Sequence, residues 1–295
     1  MGLASLVGSG LLAGWVAPEI TRRVPGYPRL LAGTGAAAIG VATFLVPVQV
    51  AHQLGYGLLA LLPVYLTRTR QGTVLAARLV VLAMLAGLGI TRLPSRPLRQ
   101  VAWVCLALVL IVTVGLTGHP SARLDLMLAH AAHLAGVSTW GGTLLALAWF
   151  PGWKRGPEAK PGSERERPFD ASRMVEPVRR LSAMAGVVFP VLVIAGIYLG
   201  AALTGRRGDL LGSGYGRWLG LKVLVVVLVA AAAAINRWRL LPLAGAATEP
   251  DGPAAVPAAL WRLRRSVRVE AALLLAVLAL TAFLSTQSPP GLSGG

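Results

Sequence analysis

The sequence predicts an all-α polytopic membrane protein, a bundle of about eight transmembrane helices. Hydrophobic residues make up 55% of the chain and charged residues only 13%, against roughly 25% charged residues in an average soluble domain. The apolar residues are gathered in repeated runs of about 20, the length that a helix needs to cross a bilayer. Because lipid offers no partners to unpaired backbone groups, we expect each run to be helical.

The apolar runs are predicted to form one integral membrane domain over residues 1–295. A further apolar stretch, 55–65, is too short to span and favours a re-entrant or interfacial helix. Two polar connections, 151–178 and 239–262, are predicted to be cytoplasmic linkers. The predicted spans, of which the first is short and rich in glycine, are 3–17, 29–51, 72–90, 99–117, 125–149, 179–203, 216–236 and 265–285.

Lysine and arginine are distributed unevenly between the two sides of this predicted bundle. The loops after spans one, three, five and seven, with their flanking residues, hold 20 of them, against 6 on the other side. Since cytoplasmic loops carry the excess of positive charge, both termini are predicted to be extracytoplasmic. The same asymmetry accounts for most of the net charge of +17, so we expect no binding to nucleic acid.

Several functional classes are disfavoured by missing motifs. The single cysteine, Cys105, lies in an apolar run, which excludes a disulfide framework and a CxxC metal site. The sequence contains neither a P-loop motif nor a DKTG-type phosphorylation motif, which argues against an ATP-driven pump.

All four histidines fall on or near the predicted outer face, and two of them lie inside a span. His130 and His133 occupy the outer third of 125–149, and residues three apart on a helix have Cβ atoms about 5–6 Å apart. Ionisable residues inside a span are costly and therefore functional candidates. The pair could hold a metal ion or the edge of a prosthetic group, with His52 and His119 nearby. Alternatively, these histidines only cap helices or hydrogen-bond to carbonyl groups.

Imidazole combined with thioether sulfur is a ligand set that suits copper. Met127 precedes His130 by one turn, and we expect Met127 or His119 to complete a shell formed by His133 and His130. The apolar surroundings favour a low coordination number and the softer ion Cu(I).

Other polar residues inside the spans are candidates for a path through the membrane. Arg78 and Lys222 either snorkel to the outer face or line a hydrated vestibule. Glu270 lies at the level of Asn236 near the cytoplasmic face; it either hydrogen-bonds there, to Asn236 or to Arg237, or couples transport to protons.

Two further candidates lie on the same predicted span as the histidine pair. Asp125 is either a ligand or the cap of this helix. Trp140 falls within about 20° of His133 on a helix and is predicted to line the path. Gly141-Gly142 beside it would let another helix approach closely.

A series of short motifs follows in a fixed order over 67–290. The motifs are Gly118-His119, His133, Trp140-Gly141-Gly142, Gly196-Ile197-Tyr198, Tyr215-Gly216-Arg217 with Lys222, Asn236-Arg237, 264–270, Thr281, Leu284 and Pro289-Pro290, with weaker upstream agreement at Thr67-Arg68, Gly72 and Arg78. In order and spacing they resemble the copper resistance protein D (CopD) family of bacterial multi-pass membrane proteins. At the position of His130 an acidic residue is more usual in that family.

The resemblance implies copper transport or copper handling across the bacterial plasma membrane, beside an extracytoplasmic copper-binding partner of the CopC type. It implies no catalytic activity, so we expect no enzyme. One alternative is a haem-binding membrane redox protein that uses His133 with His52 or His119. Another is a non-catalytic subunit for copper or oxidase assembly. Because only one span carries embedded histidines, we expect no haem.

Overall fold

The structure is a computed structural model, which describes residues 1–90, 95–116, 123–154, 171–204, 214–247 and 256–285. Within these ranges the chain is helical almost throughout and contains no β-strand, so the prediction of an all-α polytopic bundle is confirmed. The α-helices are α1 (Gly2–Leu11), α2 (Pro18–Arg23), α3 (Gly26–Leu54), α4 (Leu58–Arg68), α5 (Arg70–Ile90), α6 (Arg96–Gly115), α7 (Leu124–Gly136), α8 (Gly142–Ala148), α9 (Val175–Thr204), α10 (Gly214–Ile235), α11 (Leu241–Ala247) and α12 (Val256–Leu284).

Segments of π-helix, in which a turn holds an extra residue, continue several of these helices. Within the described ranges they are Leu12–Val16, which extends α1, Val137–Gly141, which joins α7 to α8, and Asn236–Leu240, which joins α10 to α11. Two short 3₁₀ helices, Pro151–Lys154 and Ala171–Met174, lie between α8 and α9. Two of these π segments, Val137–Gly141 and Asn236–Leu240, carry polar residues that line one cavity.

Six helices in the described part of the chain are long and apolar enough to cross a membrane, and each overlaps a predicted span. Four agree with the prediction to within a few residues, whereas the helix predicted at 216–236 continues to Ala246 and the helix predicted at 265–285 already begins at Ala258. The other two predicted spans, 3–17 and 125–149, are also helical, but a π segment interrupts each of them. The six are Gly26–Leu54, Arg70–Leu88, Pro97–Gly115, Val175–Ala202, Gly214–Ala246 and Ala258–Leu284.

The short apolar stretch predicted at 55–65 forms α4, displaced by a few residues toward the C-terminus. Gly55 ends α3 with a φ of 70°, the left-handed conformation that glycine adopts most readily at the end of a helix. A short helix between the second and third spans is thereby confirmed, and its depth in the membrane remains a prediction.

The short first helix is packed inside the bundle, mainly against α3 and α8. Its glycines make this possible: a Cβ at Gly8 would lie 2.1 Å from the carbonyl carbon of Gly142. A Cβ at Gly142 would lie 2.0 Å from the carbonyl oxygen of Ala4, so the two backbones touch. The prediction that Gly141-Gly142 admits a closely packed helix is confirmed, and that helix is α1.

Helix ends that were predicted to share the cytoplasmic side meet at one end of the bundle, which we call the arginine end. Arginine side chains tie it together by donating to backbone carbonyl oxygens of other segments. The bonds run from Arg180 to Trp15 at 3.1 Å, from Arg264 to Trp153 at 3.0 Å and from Arg268 to Ala148 at 3.3 Å. These contacts place the π segment after α1, the end of α8, the start of α9 and the N-terminal part of α12 at the same end of the bundle.

The predicted linker bounds differ from the structure. Helices α11 and α12 occupy much of 239–262, because apolar residues there pack into the core: Ala244 is fully buried, and Leu241 and Leu260 are buried. At the other linker, α9 already begins at Val175, inside 151–178, and Met174 and Val178 are buried. The cytoplasmic location of both connections remains a prediction.

Candidate functional site

Helices α7 and α9 run antiparallel at the end of the bundle opposite the arginine end. Side chains face each other in order along the two helices, so that His133 and Trp140 both face α9, as the helical spacing predicts. The facing pairs are Asp125 with Tyr198, His133 with Gly196 and Leu192, Gly136 with Leu192, and Trp140 with Phe189. We call the end that holds Asp125, His130 and His133 the histidine end.

The imidazole of His133 is held in one orientation. Its Nδ1 lies 3.1 Å from the carbonyl oxygen of Leu192. Since a carbonyl oxygen only accepts hydrogen bonds, Nδ1 carries the proton, and the neutral ring keeps a lone pair on Nε2. Metal-ligating histidines commonly donate their other ring N–H to a carbonyl in this way.

Gly196 allows this close approach of His133 to α9. A Cβ at position 196 would lie 3.1 Å from Cε1 and 3.3 Å from Nδ1 of the ring, tighter than ordinary van der Waals contact. Any larger residue at this position would push the ring away from the Leu192 carbonyl.

His130 lies on the neighbouring side of α7 and is half-buried. Its Cδ2 is 3.8 Å from the position that a Cβ would take on Gly115 of α6. Met127, also half-buried, lies one turn earlier on α7. The structure therefore brings His130, His133 and Met127 to one end of one helix, with the two imidazoles packed against different neighbouring helices.

Of the other two predicted histidine ligands, one lies within the described residues and is not brought to this pair. His52 is exposed at the end of α3, which packs chiefly against α1, α4 and α5, so it is not placed to share a metal or a haem with His133. His119 lies outside the described residues. Within the described part of the chain, no group of three or more His, Cys, Asp or Glu side chains lies close enough to hold a metal ion.

Asp125 is already engaged by two neighbours. The guanidinium of Arg123 approaches it to 2.6 Å, and the hydroxyl of Tyr198 donates to the same carboxylate oxygen, Oδ2, at 2.5 Å. These contacts fasten the start of α7 to α9. They favour a structural role for Asp125 over a role as a metal ligand.

Arg78 points between helices and does not snorkel to the surface. Its guanidinium donates to the hydroxyl of Thr43 on α3 at 3.2 Å, and to the carbonyl oxygen of Thr113 on α6 at 2.7 Å. Because both threonines are buried, Arg78 joins α3, α5 and α6 inside the bundle.

Lys222 extends from α10 toward the histidine end. Its ammonium group lies within electrostatic range of the His133 ring, and its side chain is partly buried. The positive charge of Lys222 repels a metal cation at His133, so Lys222 disfavours cation binding there.

Glu270 and Asn236 form a buried hydrogen-bonded pair toward the arginine end. The amide Nδ2 of Asn236 donates to Oε2 of Glu270 at 2.6 Å, which confirms the predicted bond between them. Arg237 instead donates to the carbonyl oxygen of Ser182 at 2.7 Å. Trp140, predicted to line a path, lies with Asn236 and Glu270 around one cavity of about 370 Å³.

The role of α9 as the support of the histidine end is not evident from the sequence. Gly196 and Tyr198 stand out there only as part of a family-like motif. Their contacts with His133 and Asp125 explain why a glycine and a hydroxyl-bearing aromatic stand two residues apart. The third support, the Leu192 carbonyl, has no side-chain signature and could not be found from sequence.

The fold and these sites define a multi-pass α-helical membrane protein with ionisable residues buried toward both ends of its bundle. Residues 175–284, from the start of α9 to the end of α12, match the family model of Copper resistance protein D (CopD). The predicted resemblance is confirmed over these 110 of the 295 residues. Motifs upstream, including Trp140-Gly141-Gly142, lie outside the match. No curated protein and no solved structure gives a significant match to the chain.

Proposed function

We propose that this protein moves copper across the bacterial plasma membrane and takes the ion at the histidine end through His133 and His130. The observation that carries the proposal is the orientation of His133, whose Nδ1–H is committed to the Leu192 carbonyl and whose Nε2 is left with a lone pair. The copper resistance family matched by residues 175–284 supplies the choice of metal.

The ligand set would be two imidazoles with the thioether of Met127. His130 makes no hydrogen bond within the described residues, so its ring is free to turn toward an ion held by His133. Nitrogen and thioether ligands in apolar surroundings suit Cu(I). His119 is a further candidate ligand at the same end.

Copper is the cargo in this proposal and not a resident cofactor. Lys222 near the site weakens cation binding, which favours release of the ion over storage. Transfer from an extracytoplasmic copper-binding protein of the CopC type would deliver copper to this end, or collect it from there. The handling of the ion requires no chemical catalysis.

Binding is expected to depend on pH because only the neutral imidazole ligates a metal. Free histidine has a pKa of about 6.5, so protons compete increasingly with copper as the pH falls through that value. Affinity should therefore decrease toward acid pH and level off above it.

The test is copper accumulation in cells that express single-site variants. His133→Ala should abolish the copper accumulation or copper-dependent growth that the wild-type chain confers, with the variant still inserted at normal abundance. His52→Ala is the matched control, since it removes an exposed imidazole from α3 and should leave accumulation unchanged.

Two results would contradict the proposal. One is a His130→Ala/His133→Ala double variant that binds and moves copper like the wild type, which would make these histidines structural. The other is an equal loss in His52→Ala, which would show a general effect of removing outer histidines.

A further inference from the structure

A second polar site lies toward the arginine end, at a distance from the histidines. It is a half-open cavity of about 370 Å³ lined by α8, α9, α10, α12 and the two π segments Val137–Gly141 and Asn236–Leu240. Most of its wall is apolar, from residues such as Phe189 and Val267. Its lining residues with polar side-chain atoms are Trp140, Ser182, Asn236, Arg237, Trp238 and Glu270.

Glu270 is buried in this wall without a cationic partner. It is 5% exposed, and Asn236, its hydrogen-bond partner, is 4% exposed. The ion pairs among the described residues join Arg123 to Asp125 and two arginines to Glu176, and none includes Glu270. An ionised carboxylate that is buried and lacks a cation carries a large desolvation cost.

The hydrogen bonding of Asn236 shows what this site lacks. Its Oδ1 is buried and has no donor, although its Nδ2 donates to Glu270. A proton on the free oxygen of Glu270, Oε1, would supply that donor. The carboxylic acid and the amide would then share two hydrogen bonds, and neither side chain would keep an unsatisfied polar atom.

Trp140, another lining residue of this cavity, has the complementary deficit. Its indole Nε1–H is buried and has no acceptor, and the residue is only 3% exposed. Water fits both needs, since it accepts from the indole and donates onward to a carboxylate or an amide oxygen, and the cavity has room for several molecules.

The π segments place these polar groups in the cavity. Trp140 lies within Val137–Gly141, and Asn236 opens Asn236–Leu240. The extra residue of a π turn rotates everything that follows it by about 100° around the helix, and such turns often occur at functional sites. Two independent helices therefore depart from α-geometry at the point where each contributes a buried, unsatisfied polar group.

Few of the residues that line the cavity with Glu270 are charged. The polar groups are uncharged on α9, which contributes Ser182, and on the segment with Trp140, which contributes the indole; α10 contributes only alanines. Arg237 is the one charged lining residue besides Glu270, and it is exposed, with its guanidinium bound to the Ser182 carbonyl. It marks the side on which the cavity meets the surface.

From this geometry we propose that Glu270 is a proton-binding residue, which takes up and releases one proton through the water of this cavity. Asn236 stabilises the neutral acid by accepting its O–H and donating to its second oxygen. In the charged form only the Nδ2 bond remains and Oδ1 is left to water. A link between this proton and copper movement rests on the proposed function, whereas proton binding itself does not.

Infrared difference spectroscopy on the full chain in lipid, recorded as the pH is changed, tests the site directly. The wild type should show a carboxylic acid C=O band that appears with falling pH, equivalent to one proton per chain. Glu270→Gln should lose this band because it removes the carboxyl group. The glutamine amide resembles the neutral acid and can keep both bonds to Asn236, so the packing should be preserved. Glu176→Gln, at an exposed ion-paired carboxylate, is the control and should retain it.

Asn236→Leu provides a second readout, because it removes the amide and should shift the frequency of the Glu270 band. The proposal is overturned if the band is absent at every pH or persists unchanged in Glu270→Gln. Copper binding measured on the same samples separates the two proposals: Glu270→Gln should bind copper like the wild type, while His133→Ala should lose copper and keep the carboxylic acid band.

Discussion

At the scale of single residues, the histidine end depends on one small residue and one backbone carbonyl. The ring of His133 contacts the Leu192 carbonyl and packs on Gly196, where a Cβ would lie 3.1 Å from its Cε1. The sequence indicated the side of α7 that His133 occupies, since helical spacing fixes it. The acceptor could not be predicted, because every residue offers the same carbonyl group and only the packing of α9 selects one.

Lys222→Met tests the electrostatic account of the same end. Removing the ammonium near His133 should raise copper affinity by roughly tenfold, equivalent to about 1.4 kcal/mol, since two cations no longer repel each other. Titration of the purified variant with Cu(I) against a competing chelator measures the change.

Lys222→Arg serves as the control for this substitution, because it keeps the positive charge and should leave the affinity near that of the wild type. Equal affinities in the wild type and Lys222→Met would mean that the ammonium does not act on the ion.

At the scale of helices, the lengths of the apolar runs predicted most elements, and the prediction failed where a helix is interrupted. The runs at 29–51 and 179–203 correspond to uninterrupted helices, although Pro47 and Pro190 lie inside them. The π segments in 125–149 and after Ile235 have no composition of their own, so the sequence could not show them. The predicted linker 239–262 includes residues that are helical in the structure. Its alanines suggest a solvated connection, whereas Ala244 is fully buried.

The contact between α1 and α8 is a close helix crossing that glycines make possible, and Gly142→Ala tests it. Its Cβ would fall 2.0 Å from the Ala4 carbonyl oxygen, so the two backbones must separate. Overpacking of this kind costs about 1–3 kcal/mol. We expect a lower midpoint of thermal unfolding in detergent and a lower abundance in the membrane.

Gly40→Ala is the matched control for this crossing, because a Cβ at Gly40 of α3 meets no atom within 4 Å. Equal stabilities for the two variants would mean that α1 does not lie against α8 as described.

At the scale of the whole molecule, composition and charge predicted a multi-pass helical protein, and the structure separates its polar groups into two ends. The arginine end gathers Arg180, Arg264 and Arg268 on backbone carbonyls. The histidine end lies across the bundle from it. Which end faces the cytoplasm follows only from the excess of positive charge, since neither packing nor hydrogen bonding refers to a membrane side.

Cysteine labelling of intact cells tests this orientation. In a chain with Cys105 replaced, single cysteines at Arg165 and Asp251 should be protected from an impermeant maleimide, whereas cysteines at His119 and at either terminus should react. The positive-inside rule is the physical reason, with 20 basic residues on one side and 6 on the other. Labelling of position 165 from outside would reverse the orientation and place the histidine end in the cytoplasm.

The most direct test of copper binding by His133 and His130 is X-ray absorption spectroscopy of the purified protein loaded with Cu(I). We expect imidazole scattering with nitrogen close to the roughly 2.0–2.1 Å known for zinc-bound imidazole, and a sulfur contribution from Met127. Gly196→Ala should weaken copper binding by displacing the His133 ring, and His130→Ala/His133→Ala should remove the imidazole signal. An imidazole signal of wild-type strength in that double variant would contradict the account.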